Sequence, residues 1–356
     1  MPEKKSHKVK TIIGLLVSVA FLVWIGYSFD LKEIKHSVQS ANFLYLIPIS
    51  IIFVFNFVIR AVRWKSLFPE STPVKFKHAF RCLMIGYLFN NLLPARAGEF
   101  IKIHMLGRVA QLSRSTVLGS VLIEKVADLL IMLAILSLIL VFYPVPIWTR
   151  QAGLFVGLIG FSALMGLVVI RLVGEKLTTS ILTRLKFLSD KLIKRIESVS
   201  SSFLQGISGL FHSAHFFRFI FYSVCIWTLE VAVVYLVAQG FHLPVGFWDS
   251  LLILVVISIG TMVPSSPGYV GTYEFFGVAA LALLNITGAE ALAFVVSLHA
   301  LMLISSSTIG WVCLITRPVK EKLAYQDDID ETDTLTSIPE AYESEPISKK
   351  ISHEKT

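Results

Sequence analysis

The sequence predicts an all-α polytopic membrane protein with about six full transmembrane spans and two re-entrant hairpins in an inverted-topology repeat. Three observations predict this class. The 356 residues are 55% hydrophobic and only 16% charged, which leaves too few polar side chains to cover a water-soluble globule. The apolar residues are grouped into eight or so long segments. Two of these segments are interrupted by proline and glycine at matching places in the two halves of the chain.

Six apolar runs are long enough to cross a hydrocarbon core of about 30 Å as helices. They are residues 11–29, 43–59, 117–143, 152–173, 217–239 and 291–316. Lysines before the first run resemble the start of a signal peptide, but no small-residue cleavage site follows. We therefore interpret this run as a retained helix that follows a short N-terminus, residues 1–10.

Two further apolar segments are interrupted, at residues 79–106 and 247–284. Proline and glycine free backbone groups that lipid cannot satisfy, so a broken helix at membrane depth must be buried in protein or line a wet cavity. We predict re-entrant hairpins, with ordinary proline-kinked helices as the alternative. The interrupting residues are Asn90, Asn91, Pro94 and Gly98 in the first segment, and Pro264, Pro267, Gly268 and Gly271 in the second.

The distribution of Lys and Arg predicts that both termini are cytoplasmic and that the chain is a multi-pass protein of the cell membrane. Basic residues are dense at the N-terminus, after the second run and after the fourth, whereas 239–316 contains no Lys or Arg. The two hairpins then enter from opposite sides. Residues 11–143 and 152–316 therefore form two inverted membrane repeats, an arrangement typical of transporters with a site between the broken segments.

Two segments outside the spans have their own character. Apolar residues recur every three or four positions over 176–211, with basic residues on the other face. This pattern predicts a cytoplasmic amphipathic helix on an anionic lipid surface, and a helix packed on the protein is the alternative. The tail, 325–356, has nine acidic residues against three lysines and is predicted to be disordered.

The first interruption contains the strongest candidate site, with Asn90, Asn91, Arg96 and Glu99 within ten residues. A charge at membrane depth costs several kcal/mol unless it is paired or hydrated. We expect Arg96 to pair with Glu99 as a structural clamp, or to bind the phosphate of an anionic headgroup, which a guanidinium fits well. The two roles are compatible.

The second interruption ends in Glu274, which is a candidate for substrate binding or, alternatively, a helix cap. A third cluster lies within the predicted span 117–143, where Glu124 and Asp128 share a helix face and Lys125 lies between them. We expect either a proton relay or a buried ion-pair network, with Lys125 offsetting one carboxylate and Arg60, Arg63 or Arg96 reaching the other. Glu230 and His299 are isolated ionisable residues that we interpret as packing residues.

The sequence gives little support for soluble enzyme chemistry. It contains no nucleotide-binding loop, no metal-spaced His/Cys set and no nucleophile elbow, so no cofactor and no metal are expected. The hydropathy favours lipid over nucleic acid as the partner of the basic residues.

Three motifs occur in the order in which they stand in one known family. They are Asn91-Leu92-Leu93-Pro94-x-Arg96-x-Gly98-Glu99, Glu124-x-x-x-Asp128-Leu129-Leu130 and Pro267-Gly268-x-x-Gly271-Thr272-x-Glu274. Over residues 11–316 the chain resembles the lysylphosphatidylglycerol synthase transmembrane-region family of flippase-like membrane proteins. The resemblance implies the membrane translocation part, without the C-terminal aminoacyltransferase domain of the two-part members.

The resulting expectation is a lipid translocator for a phospholipid or a polyprenyl-phosphate-linked lipid. The alternatives are a membrane-embedded transferase that uses Glu99, Glu124 or Asp128, and a non-catalytic partner of a separate glycosyltransferase or aminoacyltransferase. The translocator needs no covalent chemistry, so the chain is expected to be a transporter rather than an enzyme.

Overall fold

The computed structural model is all-helical, because its described residues form helices joined by turns and contain no strand. These residues are 31–69, 72–142, 196–204, 213–262 and 266–316, with isolated positions between 147 and 169. One compact unit covers Met1–Leu314. A second unit, Ile315–Thr356, lies outside the described residues except at its first two positions.

Several predicted features fall outside the described residues. They are the N-terminus 1–10, the span 11–29, half of the span 152–173, most of the helix 176–211 and the tail 325–356. Within the predicted amphipathic helix, residues 196–204 are helical. There the Thr116 hydroxyl donates a hydrogen bond of 3.0 Å to the Ser202 carbonyl. This contact supports the alternative in which that part of the helix packs on the protein.

The first half of the described chain contains a short helix, a long helix, a broken pair and a second long helix. Proline at the start of the intervening 3₁₀ turn cannot continue the preceding helix, so the chain breaks at Pro94–Arg96. The helices are α1 (Leu31–Gln39), α2 (Leu46–Lys65), α3 (Phe76–Leu92), α4 (Ala97–Val109) and α5 (Arg114–Phe142).

The second half has the same order of a long helix, a broken pair and a long helix. A 3₁₀ turn, Pro267–Tyr269, separates the two short helices. At the start of the first short helix, the Asp249 carboxylate accepts a hydrogen bond of 2.7 Å from the Gly246 backbone N–H, which caps the helix. The helices are α6 (Ser213–Gly240), α7 (Phe247–Thr261), α8 (Thr272–Ala282) and α9 (Ala289–Ile315).

Both predicted interruptions are therefore real breaks between two short helices that pack on each other, α3 with α4 and α7 with α8. In the first pair the backbones come close at two glycines. A Cβ atom built on Gly98 would lie 1.9 Å from the Gly86 carbonyl oxygen. Only glycine fits at such a crossing.

Among the described residues, three helical segments are long and apolar enough to cross a membrane, judged by length and composition. They are Phe43–Lys65, Phe216–Gly240 and Ala289–Ile315, at the places of the predicted second, fifth and sixth spans. The predicted third span is α5, which is helical over 29 residues and carries Glu124, Lys125 and Asp128. The count of six spans and the re-entrant course of the broken pairs stay predictions.

The helices pack around two apolar clusters. One is built mainly from α2 to α5 and the other mainly from α6 to α9. Large apolar side chains also face outward, including Ile47 and Phe55 on α2 and Phe221 on α6, each at least 60% exposed. An outer surface of this kind is typical of a protein that contacts lipid.

Candidate functional site

The two helix breaks share a five-residue pattern and meet each other. Pro94 and Gly98 have the same spacing as Pro267 and Gly271. The third residue of each pattern, Arg96 or Tyr269, adopts a left-handed backbone conformation, with φ of 54° and 62° respectively. Such a φ is uncommon for residues other than glycine, and it turns both side chains out of the helical course.

Arg96 connects the first break to the second half of the protein. Its Nη2 donates a hydrogen bond of 2.6 Å to the Thr261 carbonyl at the end of α7. Its guanidinium carbon lies 5.3 Å from the centre of the Tyr269 ring, a cation–π contact. A cation is favourable at a helix C-terminus, where the dipole is negative.

The expected pair of Arg96 with Glu99 is wrong. The Glu99 carboxylate lies 2.9 Å from Lys102 Nζ and 2.9 Å from Lys125 Nζ. Glu99 stands in the first turn of α4, three residues before Lys102, so these two side chains share a face. The left-handed conformation of Arg96 directs its side chain to the other half instead.

The carboxylates of α5 form a buried ion-pair network, one of the two alternatives considered for them. Arg63 donates to both oxygens of Asp128, at 2.6 and 3.1 Å. Glu124 is buried, and its two oxygens lie 3.6 Å from Arg63 and 3.6 Å from Lys102. The expectation that Arg63 reaches this cluster is confirmed. Lys125 forms its direct ion pair with Glu99, and it acts on Glu124 and Asp128 through electrostatic attraction at longer range.

A second ion pair joins the two halves of the protein across α2 and α6. Arg60 pairs with Glu230 and also donates a hydrogen bond of 2.7 Å to the Asn56 side chain. Asn56 in turn donates to the Ile226 carbonyl at 3.2 Å. Glu230, which the sequence suggested was an isolated packing residue, is thus the partner of Arg60. The sequence did contain a signal for this pair. It was a carboxylate within one apolar span, together with basic residues at the end of another span.

These groups surround a cavity of about 460 Å³. It lies between residues of both halves, and its wall includes the two helix breaks. Six charged side chains line it, three basic and three acidic: Arg60, Arg96, Lys125, Glu99, Asp128 and Glu230. Among the other lining residues are Asn56, Tyr87, Asn90, Asn91, Trp227, Thr261, Tyr269, Tyr273 and Ser306.

The two candidate asparagines have different surroundings. Asn91 donates hydrogen bonds of 2.9 Å to Ser306 and to Ser307, which connects the end of α3 to α9. Asn90 is buried, and its amide nitrogen lies 3.5 Å from Glu99. The Asn90 side-chain oxygen is buried and has no hydrogen-bond partner in the described structure.

Glu274 lies outside the wall of this cavity and holds the second break together. Its carboxylate accepts a hydrogen bond of 2.6 Å from the Gly271 backbone N–H and lies 2.5 Å from His299 Nδ1. The other ring nitrogen of His299 lies 2.8 Å from the Gly268 carbonyl, and Tyr273 stacks on the imidazole. These contacts support the capping alternative for Glu274.

No three metal-ligating side chains come together in the part of the chain that the structure describes. The acidic residues of the cavity are instead matched with basic ones.

Comparison with known proteins places this architecture in a family. The family model for the lysylphosphatidylglycerol synthase TM region matches residues 11–310. The chain belongs to the lysylphosphatidylglycerol synthase TM region family. The resemblance read from the three motifs is thereby confirmed, and the chain is a membrane protein of that family.

The curated relatives of this family member include two archaeal membrane proteins and one glycosyltransferase. The chain is 23% identical to a UPF0104 membrane protein of Methanothermobacter thermautotrophicus, over 76% of the chain and 83% of the relative. It is 19% identical to a UPF0104 membrane protein of Methanocaldococcus jannaschii, over 86% of the chain and 94% of the relative. It is 26% identical to Glycosyltransferase AglD of Haloferax volcanii, over 83% of the chain and 52% of AglD. No solved structure matches the chain.

Proposed function

We propose that this family member moves a lipid with a phosphate-containing headgroup, a phospholipid or a polyprenyl-phosphate-linked lipid, between the leaflets of the cell membrane. The observation that carries the proposal is the charged cavity between the two halves at the helix breaks. A headgroup crosses a bilayer slowly because its phosphate must leave water. A polar cavity with a fixed cation lowers that cost.

The proposed path places the headgroup in the cavity and leaves the acyl or prenyl chains in the bilayer. Arg96 is the proposed phosphate ligand, because its two described polar contacts leave further guanidinium N–H groups free to donate. Asn90 and Asn91 are proposed to contact the rest of the headgroup. The carboxylates Glu99, Glu124 and Asp128 are proposed to hold the basic residues in place through the ion-pair network.

The topology we propose has six spans, two re-entrant hairpins and both termini in the cytoplasm. The repeated order of helices supports it, because inverted repeats with discontinuous helices are typical of transporters that alternate access around a central site. Rocking of one half against the other would open the cavity to each leaflet in turn.

A second candidate follows from the glycosyltransferase among the relatives. The aligned region covers 52% of AglD, so AglD contains a further part with no counterpart in this alignment. In this second candidate the chain is the membrane partner of a separate glycosyltransferase or aminoacyltransferase. In a third candidate the chain is a membrane-embedded transferase, which would have to use the paired carboxylates of the cavity.

Reconstitution in liposomes tests these candidates together. The purified full chain should accelerate the exchange of a chemically quenchable phospholipid or short polyprenyl-phosphate lipid between leaflets, without changing its mass. The exchange should be lost in Arg96→Ala. A new lipid species formed in the presence of a donor would move the assignment to an enzyme. If the folded protein causes no exchange and forms no new lipid species, the role as membrane partner of a separate transferase would be favoured.

A further inference from the structure

We infer that the cavity selects a lipid with a singly charged phosphodiester and a neutral, hydroxyl-bearing headgroup, such as a glycerol or a sugar, and rejects amine-bearing headgroups. This inference rests on the proposed function and names the substrate class of the same site. It follows from the balance of charge around the cavity and from the polar groups that remain without partners.

The charge balance leaves one unmatched cation. The wall of the cavity and the buried ion-pair network behind it are counted together, because Arg63, Lys102 and Glu124 lie outside the wall but pair with residues that line it. The basic side chains of this set are Arg60, Arg63, Arg96, Lys102 and Lys125, and the carboxylates that pair with them are Glu99, Glu124, Asp128 and Glu230. Every carboxylate has a basic partner. In the described residues Arg96 contacts a carbonyl and an aromatic ring and no carboxylate. The site therefore carries a formal excess of one positive charge, located at Arg96.

A single excess cation matches a single negative charge. A phosphodiester carries one negative charge, whereas a phosphate monoester carries about −1.5 to −2 at neutral pH. A headgroup amine would add a positive charge to a site whose carboxylates are already occupied. Displacing an established partner at low dielectric is costly because the released charge stays buried. The balance thus disfavours both amines and monoesters.

The uncharged polar groups of the wall match hydroxyls. Tyr87, Tyr269 and Tyr273 line the cavity, and in the described structure none of their phenol groups is engaged in a hydrogen bond to a protein group. A hydroxyl both donates and accepts, so a glycerol or sugar can form hydrogen bonds with these phenols.

Equilibrium binding of short-chain lipids to the full chain in detergent, counted by native mass spectrometry, tests the inference. The probes are dioctanoyl-phosphatidylglycerol, a short-chain hexosyl-phosphoryl-polyprenol, dioctanoyl-phosphatidylethanolamine, a short-chain lysyl-phosphatidylglycerol and a short polyprenyl monophosphate. At least one of the first two should bind about tenfold more tightly than the other three, a difference of about 1.4 kcal/mol. Which of the two binds identifies the source as a glycerophospholipid or a glycosylated polyprenol. Equal or tighter binding of either amine-bearing lipid would overturn the inference.

Two variants sharpen this test. Glu230→Gln leaves Arg60 without a carboxylate, so the site gains a second unmatched cation, and the monophosphate should become the preferred ligand. Unchanged preference in a folded Glu230→Gln protein would contradict the charge argument. Tyr87→Phe should weaken binding of the hydroxyl-bearing lipid roughly threefold to tenfold, as for the loss of one neutral hydrogen bond. Tyr235→Phe, outside the cavity wall, is the matched control.

The binding readout separates this inference from the proposed function. Selective binding without leaflet exchange in liposomes would overturn the translocator and leave the ligand class intact. Leaflet exchange that is equally fast for hydroxyl-bearing and amine-bearing lipids would support the translocator and overturn the inferred ligand class.

Discussion

Arg96 combines a strained backbone with a side chain that bridges the two halves. Its φ of 54° is maintained because the guanidinium has two specific neighbours, a helix-terminal carbonyl and a tyrosine ring. Non-glycine residues in this region cost about 1 kcal/mol or more and are concentrated at functional sites. The residue is thus held in place before any ligand arrives.

Substitution of Arg96 should abolish lipid exchange without unfolding the protein. Arg96→Ala removes the phosphate ligand, and Arg96→Lys keeps the charge but loses the planar fork that binds phosphate through two hydrogen bonds. Both variants should reduce the exchange rate at least about tenfold, which corresponds to a charge-assisted hydrogen bond of about 1.5–3 kcal/mol. Fluorescence-detected exchange in liposomes measures it, and Arg108→Ala, outside the cavity wall, is the control. A fully active Arg96→Ala protein would remove this residue from the site.

Glu274 should contribute to stability more than to transport. In Glu274→Gln the buried His299 loses its carboxylate partner, and leaving a buried polar group unpaired costs about 1–3 kcal/mol. Thermal unfolding in detergent should show a melting temperature lowered by several degrees, with the lipid preference unchanged. The control is Glu290→Gln, because Glu290 is exposed and its loss should alter the melting temperature little. A stable Glu274→Gln protein that no longer binds lipid would assign Glu274 to the site instead.

At the residue scale the sequence indicated several residues of the candidate site but not how they pair. Asn90, Asn91, Arg96 and the acidic residues of α5 were all selected, because charges and amides inside apolar segments are conspicuous. The partner of Arg96 was predicted wrongly because sequence proximity suggested Glu99. The actual acceptor, the Thr261 carbonyl, is 165 positions away, and a backbone group leaves no trace in composition.

At the scale of helices, the α3–α4 pair depends on the close approach of its backbones at Gly86 and Gly98. The pattern of proline and glycine predicted where each apolar segment breaks, since both residues act locally. It did not predict how closely the resulting helices pack. That distance depends on which glycine faces which backbone, and this is decided only when the pair is assembled.

Gly98→Ala should disrupt the first broken pair. The added methyl group would lie 1.9 Å from the Gly86 carbonyl oxygen and 2.7 Å from the Asn90 backbone nitrogen, so the two helices must separate. Overpacking of this kind costs about 1–3 kcal/mol or more. The yield of monodisperse protein and the melting temperature in detergent should both fall.

Gly166→Ala is the matched control for that variant, because a Cβ atom there meets nothing within 4 Å. It should express and melt like the parent protein. If Gly98→Ala behaves in the same way as Gly166→Ala, the close approach of α3 and α4 is not present in the membrane.

For the whole molecule, the repeated order of helices and a site between the broken segments were predicted from two interruptions, whereas the ion pair that joins the halves was not. Arg60 and Glu230 are 170 positions apart, and Glu230 alone in an apolar span gave no indication of its partner. Periodicity describes one helix at a time, so the assembly of charges from α2, α3, α5 and α6 around one cavity emerges only from tertiary packing.

The proposed topology predicts which positions react with a membrane-impermeant thiol reagent. In a cysteine-free background, with Cys82, Cys225 and Cys313 replaced by alanine, single cysteines are introduced at positions 70, 190 and 246. Position 246 should be labelled from outside intact cells, and positions 70 and 190 only after the membrane is opened. Labelling of position 190 from outside would exclude the scheme of six spans with two oppositely oriented hairpins.

The meeting of Arg96 with Tyr269 has a consequence for the kinetics of exchange. The two residues occupy equivalent places in the Pro-x-x-x-Gly pattern, but one offers a guanidinium and the other a phenol. When one half rocks against the other, the anionic headgroup would therefore first contact a guanidinium from one leaflet and a phenol from the other. The half-saturating lipid concentration would differ between the two directions of transport. The final distribution of lipid would stay the same, because a passive carrier changes rates and not equilibria.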